Sequence, residues 1–278
     1  MKFLKFLRKH YILGIVGIVF FVVVFVSSVF APFITPHNPD YIDLDEFETS
    51  ATIRHPLGTD EVGRDVLSRI MYGGRISLTV GFLAVIISLV LGILFGAVAG
   101  YFGGIVDTVV MRLVDMMLVI PTFFLLLSFQ AVFNANIYST IILIGLTSWM
   151  GTARLVRSQV LSIRKRTYVT AATSRGLKHA AILFKHVLPN TYGLLSATAI
   201  LGMAGAILLE SALSFFGLGV QPPLASWGSM LEHAQESMIT SWWIAFWPGL
   251  MIFLTVLSLN FFGEGVRKYF DPREAYKR

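Results

Sequence analysis

The sequence predicts an all-α membrane protein, a polytopic bundle of about six transmembrane helices, and three observations indicate this fold class. Of the 278 residues, 55% are hydrophobic and only 14% are charged, and the mean hydropathy is +0.74. A soluble domain of this size carries about a quarter charged residues. Six apolar stretches are each long enough to cross about 30 Å of hydrocarbon. Basic-rich and acid-rich segments alternate between them, as they do on opposite sides of a membrane.

The six predicted spans cover approximately residues 11–31, 77–100, 106–133, 137–155, 192–218 and 242–262. The first span follows four basic residues, as a signal peptide would. Its apolar run is longer than that of a signal peptide, and residues 29–31 lack the small-residue pair of a cleavage site, so we expect a retained helix. Pro121 lies inside the third span and removes a backbone hydrogen bond, which predicts a kink there.

The charge distribution predicts the orientation. Segment 32–76 holds eight acidic residues against four arginines, whereas segment 151–190 holds eight basic residues and no acid. Both chain ends are basic, and the loop before the last span is acidic. Six crossings with both termini in the cytoplasm place every basic-rich segment inside. The predicted organisation is 1–31 (N-terminus and first helix), 32–76 (extracytoplasmic segment), 77–262 (transmembrane core, including a cytoplasmic loop at 157–190) and 263–278 (cytoplasmic tail).

Several residues inside the spans predict helix contacts. Gly92, Gly96 and Gly100 recur at a spacing of four and leave one helix face bare, which permits close approach of another helix. Arg112 and Asp115 are three residues apart and can pair on one helix face. Glu210 is the isolated acid of the fifth span, and it either lines a polar pathway or makes a hydrogen bond between helices.

The motifs that the sequence lacks exclude several functions. There is no cysteine and no GxxxxGK[ST], HExxH or GxSxG motif, so the chain has no apparent means of hydrolysing ATP and no predicted catalytic residue. His179 and His186 are seven residues apart, which is not a metal-ligand spacing. We therefore expect no metal site and no bound cofactor. The net charge of +6 is explained by cytoplasmic loops, so we expect a lipid bilayer rather than a nucleic acid as partner.

The long cytoplasmic loop predicts two short helices. The first ends at Gly176, which can take the left-handed conformation that turns the chain. The second runs from about residue 177 to 186, and Pro189 begins the next span. Helical spacing places four apolar residues of the second helix on one face: Ala180, Leu183, Phe184 and Val187. Such an element either lies on anionic lipid or docks a soluble partner.

Three motifs carry a resemblance to a known family. The cytoplasmic loop resembles the EAA loop of bacterial ATP-binding-cassette (ABC) importer permeases in Ala171, Ala172, Gly176, Leu188 and Pro189, although Thr170 replaces the usual glutamate and Val187 the usual isoleucine. The segment before the second span resembles the LGTDxxGRD signature of dipeptide, oligopeptide and nickel permeases in Leu57, Gly58, Thr59, Asp60, Gly63, Arg64 and Asp65. Residues 262–273 are similar to the C-terminal tail of the C-type subunit, with Glu264 as its acid.

This resemblance implies a type I importer permease in the bacterial inner membrane. Its implied partners are a homologous B-type permease, two cytoplasmic ATPases that use ATP and Mg²⁺, and an extracytoplasmic substrate-binding protein. The ATPase-coupling residues would be Ala171, Ala172, Gly176, Leu177, Leu188 and Pro189. Short peptides are the expected substrate, with nickel or a metal chelate as the alternative. A translocation path for peptides needs hydrogen-bonding groups, which predicts Ser148, Thr152, Ser196, Thr198 and Glu210 as its residues.

Two other classes of function remain open at this point. A stand-alone channel or secondary transporter would conduct or exchange its substrate without an ATPase. A membrane-embedded enzyme would need a catalytic constellation, and the motifs considered above do not provide one.

Overall fold

The computed structural model describes residues 2–133 and 135–270, with side chains from residue 12 onward. Within these ranges the chain is helical throughout, apart from loops and one isolated antiparallel bridge between Thr59 and Asp65. Five helices are long and apolar enough to cross a membrane, and a bent pair of helices makes a sixth candidate span. The predicted all-α class with about six spans is therefore confirmed.

The helices are numbered here in chain order. They are α1 (Lys2–Val29), α2 (Ala31–Ile34), α3 (Val66–Phe102), α4 (Gly104–Val119), α5 (Thr122–Val132), α6 (Ile137–Arg164), α7 (Thr167–Ser174), α8 (His179–Ile182), α9 (Tyr192–Phe215), α10 (Trp227–His233) and α11 (Trp243–Phe270). A π-helical turn (Leu183–Val187) and a 3-10 turn (Leu188–Thr191) connect α8 to α9 without a break. A further 3-10 turn covers Leu44–Glu46.

Four of the membrane helices, α1, α3, α6 and α11, extend beyond the apolar stretches that predicted them. Helix α3 begins at Val66 rather than near residue 77, because Asp65 caps it by accepting a hydrogen bond from the Ser68 amide at 2.7 Å. The predicted end of the extracytoplasmic segment at residue 76 therefore lies inside α3. Helix α6 continues to Arg164 and α11 to Phe270, and the rest of the predicted tail, 271–278, lies outside the described residues.

The third predicted span is broken rather than gently kinked. Helices α4 and α5 are bent by 80° relative to each other across Ile120 and Pro121. Ile120 has an extended conformation (φ −80°, ψ 123°), which the proline after it favours by steric exclusion of the helical region. The predicted effect of Pro121 is confirmed, and the bend exceeds the one expected.

The bare glycine face of α3 is the contact surface for α6. A Cβ atom on Gly92 would lie 2.6 Å from the Thr152 side chain, and one on Gly100 would lie 2.8 Å from the Arg157 carbonyl oxygen. A Cβ atom on Gly96, between them, would overlap the Ala153 carbonyl oxygen. The predicted close approach of two helices is therefore confirmed, and the partner of α3 is α6, the helix that leads into α7.

The predicted pair of Arg112 with Asp115 is wrong. Asp115 instead forms an ion pair with Arg154 of α6, and Asp107 is bound by the guanidinium of Arg157 from the same helix. The arginines on α6 reach both carboxylates on α4, so charge pairing joins two helices here rather than two turns of one helix.

Candidate functional site

The short helix α7 is anchored to the membrane helices by one face. Val169 and Ala172 are buried on that face, with 2% and 6% of their surfaces exposed. They belong to an apolar cluster that also contains Tyr101 of α3 and residues of α6. The other members are Ala97, Val156, Val160, Ile163, Ile182, Leu183, Val187, Leu188 and Leu195. A displacement of α7 must therefore be transmitted to α3 and α6, because close-packed interiors transmit strain.

The opposite side of α7 ends in an exposed turn. Gly176 has a φ of +74°, as predicted, and its amide donates to the Thr173 carbonyl at 2.9 Å. The Leu177 amide reaches back to the Ala172 carbonyl at 3.4 Å, which completes a Schellman helix end. Ala171, Gly176 and Leu177 are exposed, and a Cβ atom on Gly176 would meet nothing within 4 Å. This turn is a rigid projection with free space around it.

The second helix of the loop differs from its prediction. Helix α8 has only four residues and is preceded by Lys178 as its N-cap. The chain then continues as the π-helical turn. A π-helical turn has hydrogen bonds between residues five apart rather than four. The residues in and after it therefore point in other directions than they would in a continuous α-helix. Ile182, Leu183 and Val187 are consequently buried, whereas Ala180 and Phe184, which were predicted on the apolar face, are exposed.

The two family-motif residues at the end of the loop lie where the loop meets the membrane helices. Leu188 is buried in the same apolar cluster as Ala172, and Pro189 lies in the 3-10 turn that leads into α9. The six predicted coupling residues therefore fall into two groups. Ala172 and Leu188 are buried and Pro189 lies at the start of the next span, whereas Ala171, Gly176 and Leu177 form the exposed turn.

The exposed turn is surrounded by positive charge. Arg166, Arg175, Lys178 and Lys185 are all exposed, and no acidic residue occurs between residues 151 and 190. Thr170, which replaces the glutamate of the EAA pattern, is also exposed. The surface is therefore suited to a partner that presents acidic groups.

Three of the predicted path residues meet at one small cavity. Ser148, Thr152 and Thr198 line a cavity of about 70 Å³ between α3, α6 and α9, together with Gly202. Ser196 is not one of its lining residues, and its hydroxyl donates to the Gly193 carbonyl at 3.0 Å. The structure thus brings together polar residues from two predicted spans, and Ser88 adds a third from α3.

Glu210 lies elsewhere, in a buried hydrogen-bond network. Its Oε2 accepts from the Ser77 hydroxyl at 2.9 Å and its Oε1 from the Ser214 hydroxyl at 2.8 Å. The Ser77 oxygen in turn accepts from the Trp227 amide at 3.2 Å, so α3, α9 and α10 are joined. Glu210 is fully buried. Of the two roles left open by the sequence, these contacts favour the hydrogen bond between helices.

The LGTDxxGRD residues form a compact structure on the segment before α3. Asp60 accepts hydrogen bonds from the Val62 and Arg64 amides. It also forms an ion pair with the Arg64 guanidinium at 2.7 Å. Thr59 is completely buried and donates to the Glu46 carbonyl at 2.5 Å. The remaining residues support this turn: Leu57 packs on the cluster around Val66, and Asp65 caps α3. A Cβ atom on Gly58 would collide with Trp243, and one on Gly63 would overlap the Asp43 carbonyl oxygen, so both positions need glycine. The motif therefore has a structural role in this chain.

Glu48 connects this segment to the loop before the last span. Its carboxylate accepts from the Ser241 hydroxyl at 2.6 Å, from Thr240 at 3.3 Å and from Ser237. Burial by itself would raise the pKa of Glu48, but the three donated hydrogen bonds outweigh it and the pKa lies below its usual value. The stability contributed by this contact is thus complete at neutral pH and is lost only as the pH falls through that lowered pKa.

Comparison with known proteins is consistent with these features. The family model described as a binding-protein-dependent transport system inner membrane component matches residues 92–276, and the model for the N-terminal transmembrane domain of oligopeptide transport permease C matches residues 3–51.

Similar proteins occur in distant bacteria. The chain is 37% identical to the dipeptide transport system permease protein DppC of Bacillus subtilis over 262 residues, 94% of this chain and 82% of that protein. It is 36% identical to the oligopeptide transport system permease protein OppC of Haemophilus influenzae over 272 residues (97% and 87%). It is 38% identical to the di/tripeptide transport system permease protein DppC of Pseudomonas aeruginosa over 263 residues (92% and 87%).

Proposed function

The chain belongs to the family of binding-protein-dependent transport system inner membrane components, and from this premise we propose that it is a transmembrane subunit of an ATP-driven importer of short peptides. The observation that carries the proposal is the exposed turn at Ala171, Gly176 and Leu177, held on helices α3 and α6 through Ala172. A projection of this kind suits the transfer of movement from a soluble partner to membrane helices.

The proposed mechanism is alternating access driven by separate ATPases. Each of two cytoplasmic ATPases receives one such turn, from this chain or from a homologous B-type permease. Closure of the ATPase dimer on ATP and Mg²⁺ pushes α7, and the anchored side of α7 moves α3 and α6 against their partner helices. An extracytoplasmic binding protein delivers the substrate. This chain contributes binding surfaces and rigid contacts, and no covalent step is assigned to it.

Peptides are the substrate class that two observations favour. Three relatives carry dipeptide, oligopeptide or di/tripeptide transport in their names. The hydroxyl groups of Ser148, Thr152 and Thr198 can hydrogen-bond a peptide backbone without selecting its side chains, once the helices that enclose their cavity of about 70 Å³ move apart. Nickel or a metal chelate remains the alternative substrate of the same kind of subunit.

A deletion strain distinguishes the two substrates. We expect a strain without this gene to lose growth on a short peptide supplied as the sole source of a required amino acid. Growth on the free amino acid serves as the control and should not change. Activity of a nickel enzyme under nickel limitation is measured in parallel. Unchanged growth on the peptide together with loss of the nickel enzyme's activity contradicts the peptide proposal and supports the alternative.

The proposed orientation places both termini in the cytoplasm of a bacterium, with α7 on the same side. The chain has no cysteine, so single cysteines report on one position each. Ile53→Cys lies on the outer segment at a fully exposed position, and Lys178→Cys lies beside the exposed turn. In intact cells a membrane-impermeant thiol reagent should label the cysteine at 53 and label the one at 178 only after permeabilisation. Labelling of both without permeabilisation contradicts this orientation.

A further inference from the structure

Two histidines and an aspartate come together on the outer segment. His37, which follows α2, and His55 lie with their rings stacked at a centroid distance of 4.5 Å and an interplanar angle of 26°. Asp65, the residue that caps α3, lies beside them. Each of the three offers one ligand atom, and these atoms lie within 4.8 Å of one another. The sequence did not indicate this cluster because His37 and His55 are far apart along the chain and follow no metal-ligand spacing.

One atom of the cluster is buried without a partner. The Nδ1 atom of His37 is inaccessible to solvent, and no hydrogen bond to it is found among the described residues. Leaving a buried polar atom unsatisfied is unfavourable, so such an atom in a native structure calls for a ligand, an ion or a bound water.

His55 has more acceptors than a neutral imidazole can use. Its Nδ1 lies 2.9 Å from Asp65 Oδ1, and its Nε2 lies 2.6 Å from Glu46 Oε2. A neutral imidazole has one N–H donor and one nitrogen lone pair, so one of these carboxylates would face a lone pair. A cation bound by both that nitrogen and its carboxylate removes the conflict, as a second proton on the ring would, and only the cation also provides a partner for the Nδ1 of His37, which has none among the described residues. The other nitrogen then keeps a carboxylate as the acceptor of its proton, an arrangement that orients metal-binding histidines.

We propose that His37, His55 and Asp65 form a binding site for a divalent transition-metal cation of which Zn²⁺ is representative. Imidazole nitrogens and a carboxylate oxygen are ligands that this cation prefers, and the carboxylate offsets part of its charge. Glu46 accepts the proton of the other His55 nitrogen, Nε2, at 2.6 Å and so orients the ring, while water would complete the ligand set. A cavity of about 260 Å³ adjoins these residues and is also lined by Asn38 and Tyr41, which leaves room for the ion and for water.

The site is structural and does not depend on the transport proposal. The second oxygen of Asp65 accepts from the Ser68 amide at 2.7 Å and so begins α3. A cation shared by His37, His55 and Asp65 therefore ties the end of α2 and the loop after it to the first turn of a membrane helix. The bound ion would stabilise the outer segment rather than pass through the protein.

Zinc binding to the full-length chain, purified in detergent, tests the proposal. Equilibrium dialysis against Zn²⁺ followed by elemental analysis should give one ion per chain. His37→Ala should weaken binding by more than about 10-fold, since even the loss of an indirect metal contact costs 10- to 100-fold. His186→Ala, a histidine on the cytoplasmic loop, should bind as the unchanged protein does. Co²⁺ in place of Zn²⁺ should produce visible absorption that His37→Ala removes.

The decisive comparison uses His37 because its Nδ1 makes no hydrogen bond among the described residues, so its removal breaks no hydrogen bond at that atom and loses only the ring stacking on His55. Zn²⁺ should raise the thermal unfolding temperature of the unchanged chain and of His186→Ala, and should leave that of His37→Ala where it was. Binding no greater than background, or equal binding and equal stabilisation in His37→Ala, overturns the proposal.

Discussion

Replacement of Gly96 by alanine is expected to destabilise the transmembrane bundle by about 3 kcal/mol or more, at the upper end of the range for overpacked sites. The added methyl group would overlap the Ala153 carbonyl oxygen, and it would lie 2.9 Å from the Val156 Cβ atom and 3.0 Å from the Ala153 Cα atom. These are backbone and Cβ atoms, so no flexible side chain can move aside. Helices α3 and α6 must separate, and the anchor of α7 on both of them is lost with their contact.

Gly205→Ala on α9 is the matched control for this substitution. A Cβ atom at Gly205 meets nothing within 4 Å, so the only change is the better helix propensity of alanine, worth about 0.5–1 kcal/mol. Thermal unfolding of the purified chains in detergent measures both effects. We expect a lowered unfolding temperature for Gly96→Ala and an unchanged or slightly raised one for Gly205→Ala. Equal unfolding temperatures would mean that α3 and α6 are not packed as described.

Replacement of Gly176 by valine is expected to abolish most transport while the chain still inserts and folds. The φ of +74° suits glycine, and a β-branched residue there is strained by about 1–2 kcal/mol. No atom lies within 4 Å of the new Cβ atom, so the cause is the backbone and not a steric clash with a neighbour. The valine shifts the turn out of its left-handed conformation and moves Leu177 away from its position on the exposed surface.

Gly176→Asn provides the control, because asparagine tolerates the left-handed region better than other residues that have a Cβ atom. Substrate-stimulated ATP hydrolysis and co-purification of the ATPase are measured for both variants. We expect both to fall strongly in Gly176→Val and to be largely kept in Gly176→Asn. Unaltered stimulation in a fully assembled Gly176→Val complex would contradict a coupling role for the turn.

Features that depend on one residue and its own backbone could be predicted from the sequence. Pro121 removes a helical hydrogen bond and favours the extended conformation of Ile120 before it, and Gly176 ends a helix in the left-handed region. The glycine face of α3 is likewise visible as a spacing, although the spacing alone does not say which helix it contacts. The resemblance in the loop motif located the exposed turn, although the sequence does not show which of the two alanines, Ala171 or Ala172, is buried.

Features that depend on two distant segments could not be predicted. Arg154 outcompetes Arg112 for Asp115 because α6 passes α4 in space, which no local pattern shows. The faces of the second loop helix were misassigned because a π-helical turn leaves the periodicity of an α-helix. His37 and His55 meet only because the segment between α2 and α3 folds back on the start of α3, so their cluster appears in the structure alone.

ATP-driven peptide accumulation in proteoliposomes tests the central claim most directly. The chain is reconstituted with the second permease and the ATPases that co-purify with it, and a labelled dipeptide is supplied with its binding protein on the outer side. We expect the peptide to accumulate inside only when ATP and Mg²⁺ are present on the ATPase side. Accumulation should disappear when Gly176→Val replaces the unchanged chain. Peptide movement that continues without ATP, or in vesicles that contain this chain alone, would contradict the account and indicate a channel or secondary transporter.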